Sequence, residues 1–323
     1  MRLLVTGGSG FIGSNFVRFI LEHYQPEFVT NVDALTYAGN PNNLADISGD
    51  PRYEFFHADI ADRAAIDEIM AKHKFFAVIN FAAETHVDRS ISGPNDFIRT
   101  NVAGTEVLLG CARAHGIKRF VQISTDEVYG SLGMTGRFSE TSPLVPSSPY
   151  SASKAGADLL ALAAHHTFGQ EVIVTRCSNN YGPFQFPEKL IPLMVTRALS
   201  GEHLPVYGDG LNVRDWIHVE DHCRAILAVL LEGTPGEVYN VGADSELENL
   251  QVVHHILEQL GKPPTLIKFV TDRLGHDRRY AIDSSKIRDQ LAWKPIHDVR
   301  AGLTETVDWY RHNTAWWQPL LAR

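Results

Sequence analysis

Cysteine is scarce in this chain of 323 residues, and the three present, Cys111, Cys177 and Cys223, stand apart without CxxC spacing. That excludes a disulfide framework or a cysteine-rich zinc site and fits a reducing compartment. Long apolar runs are missing as well: no stretch approaches the ~20 residues needed to cross a bilayer. The run over residues 2–6 is short and ends in glycines, without the cleavage region of a signal peptide, so a cytoplasmic location is expected. Positive charge is in deficit. Lys and Arg number 29 against 38 Asp and Glu, a net charge of −9, which disfavours a nucleic-acid or anionic-membrane surface but leaves room for one basic pocket. Fifteen histidines are present without metal-ligand spacing. The pairs His165-His166 and His254-His255 are adjacent rather than four apart, so structural or surface roles are expected and no metal. Internal repeats, low-complexity tracts and flexible linkers are absent too.

What is there is an ordinary globular composition, 44% hydrophobic and 21% charged, on a chain long enough for two domains. In the first half strand and helix patterns alternate. Strands are predicted over 2–6, 28–32, 76–81, 119–124 and 171–177, and helices over 11–23, 64–73, 102–115 and 150–167. Such alternation implies an α/β fold, a Rossmann-type doubly wound parallel sheet with helices on both faces. After Cys177 the texture changes, with Pro183, Pro187, Pro192 and Pro205 among shorter elements. Residues 238–241 still read as a buried strand, so the chain is expected to revisit the first sheet late. The expected division is a dinucleotide-binding domain over 1–178, rejoined at about 212–243, and a smaller mixed α/β substrate-binding domain over 179–211 and 244–323.

Gly7, Gly10 and Gly13 form GxxGxxG directly after the first strand, and Gly8, Gly10 and Gly13 also fit GxGxxG. Glycines at this junction permit a tight turn and close approach of backbone to a pyrophosphate, whose charge meets the helix N-terminus. Asp33 ends the next strand 20 residues after Gly13, where a carboxylate binds ribose hydroxyls and repels a 2′-phosphate. NAD is therefore expected rather than NADP. Asp59-Ile60 follows a further strand, a place suited to the adenine edge, although an Asp there also serves as a turn or helix cap.

Tyr150 and Lys154 stand four apart on one helical face. A free phenol has a pKa near ~10, and a nearby ammonium together with a positive nicotinamide favours the phenolate. Ser124-Thr125-Asp126-Glu127 closes the strand over 119–124, at the end of a parallel strand where ligands bind. Two adjacent carboxylates make an acid/base set, one protonated and one ionised, unless they are a solvated turn.

Longer motifs accompany these. Leu35-Thr36-Tyr37-Ala38-Gly39-Asn40 follows Asp33; Ala82-Ala83-Glu84-Thr85-His86-Val87-Asp88, residues 124–130, 176–183 and 207–221, and Gly275-His276-Asp277-Arg278-Arg279-Tyr280 complete the set. With them the chain resembles, over nearly its whole length, the extended short-chain dehydrogenase/reductases, and among these the dTDP-glucose 4,6-dehydratase family. Asp126 is the telling residue. Epimerases of this group usually start the segment Ser-Ser without the Asp-Glu pair, and GDP-mannose dehydratases and UDP-glucuronate decarboxylases typically show Thr-Ser-Glu.

The resemblance implies that Gly7, Gly10, Phe11, Ile12, Gly13, Asp33, Leu35, Thr36, Asp59, Ile60, Ala82, Ala83, Thr85, Thr100, Ser124, Tyr150, Lys154 and Cys177 line the NAD site. A purely structural Cys177 is an equal alternative. It implies that His86, Thr125, Asn179, Glu188, Lys189, Leu190, Tyr207, Arg214, Asn249 and His276 hold the nucleotide sugar. A guanidinium at Arg214 suits a diphosphate. The implied catalytic residues are Thr125, Asp126, Glu127, Tyr150 and Lys154. Tyr150, helped by Thr125, takes the C4 hydroxyl proton as the C4 hydride passes to NAD. Glu127 then removes the acidified C5 proton while Asp126 protonates the departing C6 hydroxyl, and hydride returns to C6. The product is the 4-keto-6-deoxy sugar nucleotide.

This chain departs from the family at Ala34, where a lysine is usual, at Leu274, where a proline is usual, in a short loop over 131–148, and over 243–249. These departures leave open another NDP-hexose, UDP-glucose or UDP-GlcNAc, as substrate. A UDP-sugar 4-epimerase or decarboxylase shares the fold, NAD and YxxxK, and product mass separates the two. A non-enzymatic NAD-binding regulator leaves Thr125, Asp126, Glu127, Tyr150 and Lys154 unexplained. The resemblance also implies a homodimer in which the helices over 102–115 and 150–167 of two copies form a four-helix bundle. Small and apolar residues on them (Ala103, Gly104, Leu108, Leu109; Ala155, Ala157, Leu159, Leu162) are the candidate contacts, although such faces are often core.

Overall fold

The computed structural model describes residues 1–322. From the N-terminus come β1 (Arg2–Thr6), α1 (Phe11–Phe19), β2 (Phe28–Asp33), β3 (Tyr53–His57), α2 (Arg63–Lys72) and β4 (Ala77–Asn80). There follow α3 (Val87–Ser92), α4 (Pro94–Phe97), α5 (Thr105–Ala114), β5 (Arg119–Thr125), α6 (Pro149–Phe168) and β6 (Glu171–Cys177). Beyond them lie β7 (Asn179–Tyr181), α7 (Leu190–Ser200), β8 (Leu204–Tyr207), β9 (Val213–His218), α8 (Val219–Glu232) and β10 (Val238–Val241). The chain ends with β11 (Glu246–Glu248), α9 (Asn249–Gln259), β12 (Ile267–Val270), α10 (Ser285–Leu291), α11 (Val299–His312) and α12 (Thr314–Trp317).

Seven strands form one parallel sheet in the order β10-β6-β5-β4-β1-β2-β3. The inner strands are buried along almost their full length, because helices cover both faces and an alternating pattern would put polar groups against them. Two apolar clusters, one on each face, hold the helices down. The order reverses between β1 and β4, and a crevice opens there at the carboxyl ends of the strands.

A second lobe has its own core, built from α7, α9 and α11 around Val195, Val253, Ile256 and Leu303. It carries a mixed three-stranded sheet, β11-β9-β7, and a two-stranded parallel sheet, β12-β8. β9 pairs with β7 and β11 rather than with the large sheet, so the chain rejoins that sheet only through α8 and β10. No helix among the described residues is long and apolar enough to cross a membrane.

Local chemistry sets the helix ends. Asp62 caps α2 by accepting from the N–H groups of Ala64 and Ala65. Ser148 and Ser151 form a reciprocal capping box on α6, Pro149 takes the first helical position, and Gly169 closes the helix in the left-handed region. Two helices differ from the periodicity reading. The helix expected over 11–23 is α-helical to Phe19 and ends in a wider turn over Ile20–Tyr24, with the Gln25 N–H bonded back to the Ile20 carbonyl. The helix expected over 102–115 starts earlier, with α4 and a wide turn over Ile98–Gly104 that turns Asn101 inward. Asn101 there accepts from the Glu84 N–H and donates to Ser153, bonds no hydrophobic pattern encodes.

Candidate active site

The glycine turn is the first wall of the site. Gly7 has φ +69°, and a Cβ at Gly13 would meet the Gly7 carbonyl oxygen at 2.3 Å, so α1 lies tight against the end of β1. Gly10 starts α1 with no side-chain cap and no acid in the first turn, leaving N–H groups free for an anion. Asp33 sits at the end of β2, buried, and accepts from the backbone of Ser9 at 2.9 Å and of Leu35 at 2.8 Å. Burial pushes its pKa up against the pull of those two N–H groups.

From this turn a cavity of ≈ 550 Å³ runs across the carboxyl ends of β1, β4 and β5 to β6 and β7. Seventeen of the eighteen expected NAD-site residues border it; the exception is Leu35, which contributes its N–H to Asp33 from a left-handed backbone while its side chain stays off the wall. Asp59 borders the cavity and is also a turn residue: Oδ1 accepts from the Ala61 N–H, and Oδ2 meets Arg99 at 2.6 Å. The apolar walls, the free helix N-terminus and the buried ribose-sized carboxylate fit a dinucleotide.

Thr125, Asp126 and Glu127 stand at the end of β5, and Tyr150 and Lys154 face them from α6 across the same cavity. None of this is a solvated turn. Asp126 is 1% exposed, with Oδ2 lacking any partner. Burial, reinforced by Glu127 and Asp215, holds its pKa well above the carboxylate range, so it keeps its proton. Burial also raises Glu127, but Arg273, Arg214 and Lys189 pull it back toward the ionised form. The two carboxyls are thus held differently: both are raised by burial, and Glu127 is the one that cations oppose most.

Tyr150 differs from the spacing argument. Burial and then Glu127 push its phenol well above its ordinary value, with the Thr125 hydroxyl opposing. Lys154 does not lead the opposition: Nζ donates to the Ile123 carbonyl at 2.7 Å, and burial lowers its pKa. In the protein alone the tyrosine is a neutral phenol.

The expected sugar-nucleotide residues divide. Thr125, Asn179, Glu188 and Lys189 border the cavity, whereas His86, Leu190, Tyr207, Arg214, Asn249 and His276 do not. Leu190 starts α7 instead. The others continue the wall outward: His86 meets Glu188 at 3.5 Å, and Tyr207 donates to Asp88 at 3.2 Å and sets its ring edge-on to His276. Arg214 is buried over the Tyr280 ring and donates to the Asp277 carbonyl. It is not a solvated charge. Asn249 keeps a buried Oδ1 without a partner.

Sequence reasoning missed several wall residues. Glu84, Asp96, Arg99, Asn180, Gln185 and Phe186 also border the cavity. Behind that wall Tyr37 donates to the lining residue Glu188 at 2.9 Å, with the Arg89 guanidinium 3.8 Å from its ring centroid. Arg273 pairs with Asp88 at 3.8 Å and leads the charges that oppose the effect of burial on Glu127. Only its place two residues before the quoted Gly275–Tyr280 motif hinted at it.

Comparison with known proteins agrees with this geometry. The family model described as GDP-mannose 4,6 dehydratase matches residues 4–306. A dTDP-glucose 4,6-dehydratase of Actinoplanes sp. is 54% identical over 98% of this chain and 100% of its own, and one from Streptomyces niveus is 53% identical over 99% and 96%. Among solved structures, a dTDP-glucose 4,6-dehydratase of Streptomyces venezuelae with NAD bound superposes with a TM-score of 0.97 at 51% identity, covering 99% of this chain and 100% of that one. A UDP-glucose 4-epimerase of Thermotoga maritima follows at TM-score 0.90 and 31% identity, covering 97% and 100%. The chain belongs to the GDP-mannose 4,6 dehydratase family.

Proposed function

We propose that this protein is an NAD-dependent dTDP-glucose 4,6-dehydratase, producing dTDP-4-keto-6-deoxyglucose. The observation that carries the reading is the pair of buried Asp126 and half-buried Glu127 across one cavity from Tyr150. An alcohol dehydrogenase or a 4-epimerase moves hydride without eliminating water and has no use for a second acid/base pair.

NAD, when bound, supplies a reservoir for the hydride that leaves C4 and returns at C6. The chain's own residues move the protons. Tyr150 takes the C4 hydroxyl proton through Thr125 once positive charge beside it brings the phenol down. The resulting ketone acidifies C5–H, and Glu127, whose ionised form Arg273, Arg214 and Lys189 favour against burial, removes that proton. Asp126, still protonated, gives its proton to the C6 hydroxyl, which leaves as water. Glu127 returns its proton to C5, and the proton held on Tyr150 balances the one Asp126 gave up.

Mass spectrometry of the purified protein with dTDP-glucose and no added cofactor tests this. Loss of one water is expected. An unchanged mass even after NAD is added overturns the reading and moves the assignment to an epimerase.

The large sheet, with α8 and β10, is read as the NAD lobe, and residues 179–218 and 244–322 as the nucleotide-sugar lobe. The partner is a second copy of the chain, joined through α5 and α6. Leu108, Leu109, Ala155 and Ala157 are buried within the protomer and do not serve that contact. Leu159, one of the expected contacts, supports it with three further residues: Ala152, Gly156, Leu159 and Ala163 lie at helical spacing on the open side of α6, and Leu159 is 58% exposed.

A further inference from the structure

Beneath the reacting groups lies a buried ion pair that the reaction as derived does not use. Asp158 is fully buried on α6, and Arg176 on β6 donates through Nε to its Oδ2 at 2.9 Å. Arg176 Nη1 donates to the Tyr129 hydroxyl at 3.0 Å, and Tyr129 donates in turn to Asn240 Oδ1 at 2.7 Å. The other oxygen of Asp158 has no access to solvent and no hydrogen bond of normal geometry, and the buried Ser124 hydroxyl favours its ionised form. An ion pair in the interior gains little stability, because desolvating two charges offsets their attraction. One kept there points to a use for the charge.

Its place shows the use. Asp158 follows Lys154 by four residues, so both stand on the face of α6 that packs against the sheet. Lys154 Nζ is anchored on the Ile123 carbonyl of β5, and Arg176 stands opposite Ser124 in the β5–β6 ladder. The carboxylate is therefore paired with a cation fixed in β6 and lies one helical turn from the lysine that borders the cavity.

We propose that Asp158 is a positioning residue for the reaction: pinned by Arg176, its carboxylate keeps Lys154 charged and its head group aimed at the Tyr150 end of the cavity. The inference rests on the dehydratase reading for the task that Lys154 performs. Burial drives Lys154 toward the neutral amine, and Asp158 is the largest influence opposing it. Burial likewise drives Asp158 toward the neutral acid, and Arg176 leads the influences that keep it ionised. The other groups packed here are neutral: the thiol of Cys177 on β6 and the phenol of Tyr129 are each pushed up to about 12, and Tyr150 on α6 is raised as well. Glu140 bonds the Asn240 N–H beyond Tyr129. Asp158, held by Arg176, is the carboxyl one helical turn from Lys154.

The test uses NAD-loaded protein and two readouts. One is the absorbance of tyrosinate against pH without substrate, with the Tyr150 contribution isolated by subtracting Tyr150→Phe. The other is the pH profile of kcat with dTDP-glucose. Asp158→Asn alone strands the Arg176 charge, so it is paired with Asp158→Asn/Arg176→Gln, which leaves two amides able to bond each other. The Tyr150 midpoint is expected to rise by about one pH unit in both variants, with the acid limb of kcat moving the same way and KM little changed. Asp158→Glu should restore much of both. A folded double variant with the wild-type midpoint overturns the proposal and leaves the pair as structural. A shifted midpoint in a protein that does not dehydrate dTDP-glucose overturns the functional reading instead.

Discussion

Asp126 meets two opposed demands. Its burial lets it arrive at the C6 oxygen with a proton, and the same burial makes it an expensive residue to keep. Asp126→Asn retains the shape and loses the acid. The expected result is a fall in kcat of about 10²–10³, with substrate stalling at the ketone. Rapid-quench mass spectrometry should then find two hydrogens lost and the water retained. Stability should move the other way. The folded pKa of Asp126 is raised, so the folded state binds a proton that the unfolded chain has released. Its contribution is present below the ordinary carboxylate range and is lost as pH rises through the raised value. Asn cannot ionise, so the variant without ligands should gain about 1–2 kcal/mol at pH about 8 and nothing at pH about 4. Thermal melts at the two pH values check this. An equal melting temperature at both would show that the carboxyl is not held protonated.

Among the elements, the start of α8 shows how one side chain joins distant segments. Asp221 Oδ1 accepts from the Ile296 N–H and from Arg224, while Oδ2 accepts from the His297 N–H and meets His297 Nδ1 at 3.0 Å. The Asp221 carbonyl also takes the Trp293 indole N–H. The segment ahead of α11 is thereby tied to the N-terminus of α8. Burial would raise Asp221, but His297 and these N–H groups outweigh it and its pKa is lowered. The bond to Asp221 raises His297 against its own burial. The Asp221 contribution is present above the ordinary carboxylate range and is lost as pH falls through its lowered value. The His297 contribution is complete below the ordinary imidazole value and is lost as pH rises through the raised one. Asp221→Asn should therefore cost most, about 2–3 kcal/mol, near pH about 5–6, and less by pH about 9. Denaturant titrations across that range read the difference, and a cost that grows toward alkaline pH would contradict the clamp. His218, Glu220 and His297 also offer ligand atoms within 4.8 Å of one another. The two imidazoles are stacked at 4.0 Å and 27°, so their in-plane lone pairs run side by side and do not converge on an ion.

At the level of the whole molecule the two lobes meet around the cavity, and the proposed dimer would use the open side of α6. Exposed Leu159 sits between the small residues Gly156 and Ala163, where a second copy of the helix can approach closely. Leu159→Glu buries a charge in such a contact and should weaken it by about 2 kcal/mol or more. Light scattering should give twice the chain mass for the parent protein and a mass falling toward one chain on dilution of the variant. A parent mass of one chain removes the dimer. The lobes are joined by side-chain bonds such as Tyr37 to Glu188, the Trp316 indole to Asn43 and Ser147 to Asp277.

Local chemistry made much of this legible in the sequence. A tight turn needs glycine, so Gly7, Gly10 and Gly13 marked the cofactor end. A helix repeats every few residues, so Tyr150 and Lys154 shared a face. A parallel strand buried on both sides is an apolar run, so the strands declared themselves and Ser124–Glu127 fell at the end of one. Electrostatics was not legible in the same way. Whether Asp126 is protonated, whether Lys154 lowers Tyr150 and which arginine faces Glu127 depend on burial and on residues brought together from β5, α6, β9 and the segment after β12. Arg273 lies 146 positions from Glu127 and Arg176 lies 18 from Asp158. Residue types, turns and periodicity are properties of neighbours along the chain, and the sequence determined them. Solvent exclusion and long-range charge pairing exist only once the sheet has crossed over and the second lobe has closed on it, so the tertiary structure alone decided how deeply each carboxyl is buried and which cations oppose that burial.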